Sequence, residues 1–262
     1  MITCELKGGL GNQLFQIFTV ISYSISNDTP FTFRYSDTLN IGKERPTYWN
    51  NLLHSIRIYT GSHEIHNVYY EPSFMFSEIP KLPDVCLRGY YQSYKYFDKH
   101  KETIIGLCNI REHQINEYAN TKTISMHFRI GDYKDLQEFH PLLPVNYYIT
   151  ALKHVGDNFD DDYTLLIFYE ADDKPTVQTM IEQMNIKYKI VFVDENIPDW
   201  KQMSMMGNCD INIIANSTFS WWGAYLTNIP RRIVLYPSVW FGPKIAHDIS
   251  DLFPVEWHKI DC

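Results

Sequence analysis

The segment that most constrains the fold is residues 211–226, where a buried-strand pattern passes directly into a helix pattern. Residues 211–215 form a mostly apolar run bounded by polar residues, which is typical of a buried strand. Hydroxyl side chains follow where a helix would begin, at Ser217, Thr218 and Ser220. The next residues predict a buried helical face, made of Trp221, Trp222, Ala224, Tyr225 and Leu226. This segment therefore predicts a strand, a tight turn and a helix of an α/β protein.

A turn from strand to helix has a chemical consequence. The first backbone N–H groups of a helix lack intrahelical partners, and the helix dipole favours an anion beside them. The turn around Asn216, Ser217 and Thr218 thus predicts a phosphate site. An N-capped helix that binds nothing explains the same pattern, because such capping residues are common at helix starts.

Strand and helix patterns alternate over much of the chain. Strands are predicted at residues 2–6, 31–35, 85–91, 123–128, 164–169, 189–193, 211–215 and 232–236. Helices are predicted at residues 14–25, after residue 94, and at 145–155, 176–184 and 200–206, the last rich in core methionines. Such alternation indicates mainly parallel sheets covered on both faces. Residues 36–67 are irregular and polar, so a surface loop is expected there.

A glycine-rich loop follows the first predicted strand, with glycines at positions 8, 9 and 11. Glycine lets the backbone approach a ligand closely and adopt positive φ. A dinucleotide site needs a third glycine where Leu14 stands, which weakens that interpretation. Two alternatives stay open: a tight turn without a ligand, and a polar substrate bound by the side chains of Asn12 and Gln13.

The strand predicted at residues 123–128 places His127 and Arg129 at its carboxyl end, on one face if the strand alternation continues. Ligands of open α/β sheets bind beyond this end of the strands. Arginine suits a diphosphate because it is always charged and binds in a bidentate manner. Asp132 is placed either to orient Arg129 or to accept from a ligand. A simple surface ion pair between Arg129 and Asp132 is the alternative.

Composition excludes some classes of function. The net charge of the 262 residues is −8, without a basic block, which argues against nucleic acid as a partner. The five cysteines are scattered and form no CxxC, so neither a disulfide framework nor a zinc site is expected. The sequence shows neither a signal peptide nor a transmembrane segment, and a cytoplasmic protein is expected. Oligomeric state cannot be inferred.

A run of three acids, Asp160 to Asp162, contains the D-x-D pattern with which some sugar transferases hold Mn²⁺ or Mg²⁺. It precedes a predicted strand instead of ending one. Acidic runs between a helix and a strand are usually solvated loops. We therefore expect no metal site here.

Three segments stand together in order along the chain: GGLGNQLFQ at residues 8–16, HFRIGDY at 127–133 and IIANSTFSWWGA at 213–224. Their order and content resemble the α-1,2-fucosyltransferase family. The segments YYQSYKYF at residues 90–97 and PSVW at 237–240 also resemble that family. The resemblance extends from residue 1 to about residue 240.

The resemblance implies an α/β fold of GT-B type, with two Rossmann-like lobes, mainly parallel sheets and a donor cleft between them. We expect residues 1–118 to form the acceptor-side lobe with the glycine-rich loop, and residues 119–262 the lobe that binds the nucleotide sugar. The resemblance further implies transfer of L-fucose from GDP-β-L-fucose to the 2-hydroxyl of a glycan acceptor, galactose being the family's sugar. It implies inversion at the anomeric carbon, with neither a metal nor another cofactor. Residues 36–84 are expected to help form the acceptor pocket.

Site residues are implied by position in the matching segments. Arg129 is implied to hold the donor diphosphate, and Asn12 is implied near fucose and the reacting centre, so these two are the expected catalytic residues. The expected donor-binding residues are Gly9, Gly11, His127, Asp132, Asn216, Ser217, Thr218, Phe219, Asp199 and Gln202. Relatives often carry an aspartate suited to guanine where this chain has Gln202, with Asp199 three residues earlier.

Two questions stay open at this point. A base for the acceptor hydroxyl is not identified, and Asp37, His140 and Glu170 qualify only by their chemistry. Two other functions also remain: a nucleotide-sugar or sugar-binding module without turnover, and a dinucleotide-dependent oxidoreductase based on the glycine-rich loop.

Overall fold

The structure is a computed structural model that describes residues 1–41, 43–62, 65–113, 117–118, 121–159, 162–227, 229 and 232–262. The chain divides into two compact units. The first unit comprises Met1–His113 and His247–Pro254, and the second comprises Gln114–Ala246 and Val255–Cys262. The sequence predicts a single boundary between residues 118 and 119. It does not predict that residues 247–254 belong to the first unit. The main sheet of each unit is parallel, so the predicted α/β class with mainly parallel sheets is confirmed.

The first unit contains a three-stranded parallel sheet in the order β1-β5-β4. Its elements are β1 (Ile2–Cys4), α1 (Leu10–Asn27), β2 (Thr38–Leu39), β3 (Arg45–Pro46), β4 (Val68–Tyr70), β5 (Val85–Arg88) and α2 (Lys101–Leu107). Short 3₁₀ turns lie at His54–Tyr59, Tyr94–Tyr96, Asp98–His100 and Ile110–His113. The strand predicted at residues 31–35 forms only two isolated bridges among the described residues. Phe31 pairs with Ile2, and Phe33 pairs with Thr60.

Helix α1 supplies much of the core of the first unit. Leu14, Phe15 and Phe18 are fully buried, as the helical spacing of apolar residues predicts. The rings of Phe15 and Phe18 lie 5.8 Å and 5.6 Å from the ring of Phe97. Burial of one such side chain contributes roughly 1.5–3 kcal/mol. The helix ends at Asp28, which adopts a left-handed conformation with φ of 49°.

The segment at residues 36–67 is not the surface loop that its sequence predicts. Among its described residues, five side chains are buried, namely Tyr48, Trp49, Leu52, Leu53 and Ile56. The indole of Trp49 packs 5.4 Å from the ring of Phe33, between centroids. The prediction was wrong because it followed the polar residues of the segment and overlooked that these five apolar residues recur at a helical spacing, i, i+1, i+4, i+5 and i+8.

Residues 247–254 complete the first unit through Asp251. Its carboxylate forms an ion pair with Lys95 and accepts a hydrogen bond from the backbone N–H of Phe76 at 3.1 Å. Its backbone carbonyl accepts from the hydroxyl of the buried Ser93 at 2.7 Å. A late segment of the sequence therefore supplies hydrogen-bond and ion-pair partners for polar groups of the early segments.

The second unit contains a six-stranded parallel sheet in the order β11-β10-β9-β6-β7-β8. The strands are β6 (Thr123–His127), β7 (Thr164–Phe168), β8 (Lys189–Phe192), β9 (Ile211–Ile213), β10 (Ile233–Pro237) and β11 (His258–Ile260). The helices are α3 (Val145–Asn158), α4 (Lys174–Glu182), α5 (Asp199–Gly207) and α6 (Thr218–Tyr225). The elements predicted for this part of the chain are confirmed to within a few residues at each end.

Both faces of this sheet are covered. Ile124 and Met126 of β6 pack with Tyr147 of α3 in one apolar cluster. Leu166 and Phe168 of β7 belong to another cluster, with Met205 and Met206 of α5. Every residue of β6 and β7 is buried, as expected for central strands of a doubly covered parallel sheet. Within the described part of the chain, no helix is both long and apolar enough to cross a membrane.

Candidate functional site

The strand order of the second unit reverses between β6 and β9. From β6 the chain proceeds to β7 and β8 on one side, then returns to place β9 on the other side of β6. The connections leaving β6 and β9 therefore diverge and open a crevice at the carboxyl ends of these two strands. Ligands of doubly wound sheets bind at such a reversal. The predicted residues 127–132 and 216–219 directly follow these two strands.

Arg129 lies just beyond β6 and forms ion pairs with two carboxylates. Its Nη2 donates to Asp132 and its Nη1 donates to Glu170, which follows β7. The guanidinium carbon lies 5.1 Å from the ring centroid of Tyr133. The Arg129–Asp132 pair considered from the sequence is present. The sequence did not predict Glu170 as a partner of Arg129, because nothing in its spacing shows that β6 and β7 are neighbours.

The turn that carries Arg129 is supported from below by Asp173. Its carboxylate is 1% exposed and accepts from the backbone N–H of Gly131 and from Nζ of Lys134, both at 2.6 Å. Gly131 has φ of +20°, and a Cβ added there would lie 2.5 Å from Oε2 of Glu170. A side chain at this position would thus displace Glu170. Sequence reasoning missed Asp173, which lies four residues beyond the predicted strand at 164–169.

His127 is the last residue of β6 and is buried. Its ring lies 5.5 Å from that of Phe219, the second residue of α6. Burial, assisted by the positive charge of Arg129, lowers the pKa of His127 to about 3. The imidazole is therefore neutral at physiological pH. Its Nδ1 is buried and makes no hydrogen bond within the described residues.

The start of α6 has the cap that the sequence predicts. Ser217 is the N-cap residue, and its hydroxyl accepts from the backbone N–H of Phe219 at 3.3 Å. Trp221 and Trp222 are fully buried, which confirms that they are core residues. This cap geometry is common to phosphate-binding and ordinary helix starts.

Asn216 joins the two loops that flank the reversal. Its side-chain Nδ2 donates to the carbonyl of Pro141 at 2.9 Å, and its backbone carbonyl accepts from the hydroxyl of Tyr133 at 3.1 Å. The ring of Tyr133 stacks on that of His140, with centroids 4.9 Å apart. Burial lowers the pKa of His140. The amide nitrogen of Asn216 therefore holds the site together, whereas its buried Oδ1 has no hydrogen-bond partner among the described residues.

The residues expected near guanine lie in the first turn of α5. Asp199 is exposed, and its Oδ1 accepts from the backbone N–H of Trp200 at 2.7 Å. The side chain of Gln202 donates to the carbonyl of Ile197 at 2.8 Å. Helix α5 follows β8, so its start lies at the same sheet edge as Arg129, two strands away from β6. Their role in base recognition stays a prediction.

The first unit has a strand-order reversal of its own at β1, with the bridge to Phe31 on one side and β5 on the other. The glycine-rich loop leaves β1 at this point. Oδ1 of Asn12 accepts from Nε2 of Gln92, beyond β5, at 2.8 Å. Gly8 has φ of +81°, and a Cβ added there would lie 2.5 Å from Nδ2 of Asn12. Gln92 was missed as a site residue, although it stood in one of the family-like segments.

Glutamines hold the glycine-rich loop from beneath. Nε2 of Gln13 donates to the carbonyls of Gly8 at 3.0 Å and Pro46 at 2.8 Å. Gln16 accepts from the N–H of Lys7 and donates to its carbonyl. Gln13 is 0% exposed, so the expectation that it hydrogen-bonds a substrate is wrong. Its amide is a structural brace. Gly9 is the N-cap residue of α1, and Gly11 lies in its first turn.

The remaining candidates are placed as follows. Asp37 accepts from the hydroxyl of Tyr35 at 2.9 Å and from Nδ2 of Asn50 at 3.2 Å. Asp160 and Asp161, of the acidic run considered for a metal, lie outside the described residues. Within the described residues, no group of three or more His, Cys, Asp or Glu side chains is arranged to hold a metal ion.

The class of protein follows from comparison with known proteins: it is a glycosyltransferase. Residues 1–261 match the family described as Glycosyl transferase family 11, so the chain belongs to this family. The family resemblance noted from the three segments is thereby confirmed.

Two curated relatives come from Escherichia coli. The chain is 34% identical to the O-antigen biosynthesis glycosyltransferase WbnK over 171 residues, 60% of this chain and 55% of that protein. It therefore spans about half the length of that relative. It is 26% identical to an alpha-1,2-colitosyltransferase over 296 aligned positions, covering 100% of this chain and 99% of that protein.

Solved structures match only remotely. The glycosyl transferase family 9 structure from Veillonella parvula gives a TM-score of 0.36 at 14% identity, over 58% of this chain and 37% of that chain. POFUT1 in complex with GDP gives a TM-score of 0.46 at 10% identity, over 90% of this chain and 97% of that chain. At these scores neither structure supports a conclusion about this chain.

Proposed function

We propose that this glycosyltransferase moves L-fucose from GDP-β-L-fucose to the 2-hydroxyl of a galactoside, with inversion to an α-1,2 linkage. The observation that carries the proposal is that Arg129 and the start of α6 follow β6 and β9, the two strands that flank the reversal of the second unit. A guanidinium and a helix N-terminus at one crevice form a site for a diphosphate. Membership of the family supports a sugar nucleotide as the molecule that carries this diphosphate.

The chemistry asked of this site is stabilisation of the departing GDP. As the glycosidic bond to the diphosphate breaks, negative charge grows on the phosphate oxygens. Arg129 and the N–H groups at the start of α6 are fixed donors that meet this charge without a metal ion. Removal of one preorganised donor of this kind typically costs about 10²–10³ in rate.

His127 and Asn12 have roles that do not involve proton transfer. With a pKa of about 3, His127 is neutral at physiological pH, so it contributes a hydrogen bond to the nucleotide and not a charge. The amide of Asn12 cannot accept a proton either. Because its oxygen is held by Gln92, its NH₂ group is oriented, and we propose that it donates to a hydroxyl of fucose.

A second donor is favoured by one specific observation. The relative that aligns over the full chain is named an alpha-1,2-colitosyltransferase. Colitose is L-fucose without its 3-hydroxyl, so the two donors differ by one hydrogen-bonding group. A site built to bind that hydroxyl would discriminate strongly between the sugars, whereas an apolar site would not.

The test is a transfer assay with GDP-fucose and GDP-colitose, each with β-galactoside acceptors and with EDTA present. We expect an α-1,2-linked product, identified by NMR, from GDP-fucose. A strong preference for GDP-colitose would change the donor but keep the reaction. Tight GDP-sugar binding without transfer would indicate a binding module, and affinity for NAD instead of GDP would indicate an oxidoreductase. Activity that is lost in EDTA and restored by Mn²⁺ would revive the metal interpretation of Asp160 to Asp162.

A further inference from the structure

The charges around Arg129 do not suit an anionic donor as they stand. Two cations, Arg129 and Lys134, face three carboxylates: Asp132, Glu170 and Asp173. Two positive against three negative charges leave −1 at the place where a diphosphate is proposed to bind. A diphosphate would bind more favourably if one carboxylate left.

The two carboxylates on Arg129 occupy the nitrogens that a phosphate would use. Asp132 lies on Nη2 and Glu170 on Nη1. A bidentate bond to a phosphate group takes two neighbouring guanidinium nitrogens. Diphosphate binding by this edge of Arg129 therefore requires that Asp132 or Glu170 move away.

Glu170 is the one free to leave. Its side chain is 49% exposed, against 30% for Asp132, and it reaches Arg129 from the loop after β7. Asp132 lies three residues from Arg129, in the 3₁₀ turn at Gly131–Asp135. Asp173 is buried under two hydrogen bonds and is fixed. Glu170 also lies against the backbone of Gly131, in the space above the turn.

We propose that the carboxylate of Glu170 is an internal substitute for the donor diphosphate. It occupies Arg129 until the diphosphate displaces it. The inference rests on the proposed function, since it assumes a diphosphate ligand at Arg129. In the free protein Glu170 holds the guanidinium in its binding position and neutralises it. On binding, the diphosphate bonds to Nη1 of Arg129 and Glu170 turns to solvent. Breaking the half-exposed Arg129–Glu170 ion pair costs little free energy. Glu170 is thus a positioning residue that lowers donor affinity.

The experiment is isothermal titration of GDP into wild-type protein and two variants that each remove one negative charge. Glu170→Gln removes the competing carboxylate at constant size. Asp172→Asn is the matched control, because Asp172 is exposed in the same loop and makes no ion pair with Arg129 among the described residues. We expect Glu170→Gln to lower the Kd for GDP about three- to fivefold, the upper part of the range of an exposed ion pair. Asp172→Asn should stay within about twofold.

Other outcomes overturn the inference. Unchanged or weaker GDP binding by Glu170→Gln would show that Glu170 does not compete, or that it binds the nucleotide itself. An equal gain in Asp172→Asn would show an effect of net charge alone. Glu170→Ala provides a second variant with the same expected direction. If wild-type protein fails to bind GDP at all, the proposed function falls and the inference falls with it; if only Glu170→Gln fails to gain, the proposed function stands.

Discussion

The two strand-order reversals differ in their chemistry. At β1 in the first unit, the side chains that meet are neutral amides, Asn12 and Gln92. At β6 and β9 in the second unit, they are charged, with Arg129 between Asp132 and Glu170. Amides hydrogen-bond hydroxyl groups without a charge, whereas a guanidinium selects anions. One topological device thus presents a surface suited to a sugar in one unit and a surface suited to a diphosphate in the other.

Removal of the charge at the second reversal should have the largest effect. We expect Arg129→Ala to lower kcat/KM about a thousandfold and to weaken GDP binding, because the leaving diphosphate loses its charged donor. Arg111→Ala is a matched control, since Arg111 forms an exposed ion pair with Glu102 in the first unit. Circular dichroism and thermal melting should show both variants folded. Near-wild-type turnover by Arg129→Ala would contradict the proposal that the second reversal binds the diphosphate through Arg129.

The amides of the first reversal allow a sharper comparison. We expect Asn12→Ala to lower kcat/KM about a hundredfold while leaving the Kd for GDP unchanged, because its amide is proposed to donate to the sugar and not to the diphosphate. Gln92→Leu should reproduce part of this loss by freeing Asn12. Asn27→Ala, near the other end of α1, is the control. Weakened GDP binding by Asn12→Ala would contradict the division of roles between the two reversals.

The smallest effect concerns stability against pH. The pKa of His127 is lowered to about 3 in the folded protein. Below the ordinary pKa of about 6.5 the unfolded chain takes up a proton that the native state does not, so stability is full above pH 6.5 and falls as pH decreases toward 3. The slope from this group is up to about 1.4 kcal/mol per pH unit.

Denaturant unfolding between pH 7 and pH 4 tests this contribution. His127→Phe should show a flatter loss of stability with acid than wild-type protein, whereas the exposed His66→Phe should not. Parallel curves for wild type and His127→Phe would show that the imidazole is not held neutral. That result would also remove the argument for His127 as a neutral hydrogen-bonding group.

Much of the second unit could be predicted from the sequence, because its strands are short apolar runs and its helices have apolar residues at helical spacing. Continuous apolar runs such as that at 164–168 mark strands buried on both faces. Contacts across the sheet could not be predicted in this way. That Glu170 pairs with Arg129 depends on β6 and β7 being neighbours, and that Asp173 is buried depends on its two partners. In the first unit, buried Trp49 and Ile56 lie seven residues apart, a helical spacing, so their burial could have been predicted although the surrounding residues are polar.

The return of residues 247–254 has a consequence for how the protein is made. During synthesis the first unit emerges early, with Ser93 and Lys95 already in place but without Asp251. The ribosome must translate the whole segment 114–246 before this partner appears. The first unit therefore completes its folding after most of the second unit has been synthesised, and nascent chains arrested before residue 247 should present it in a protease-sensitive form.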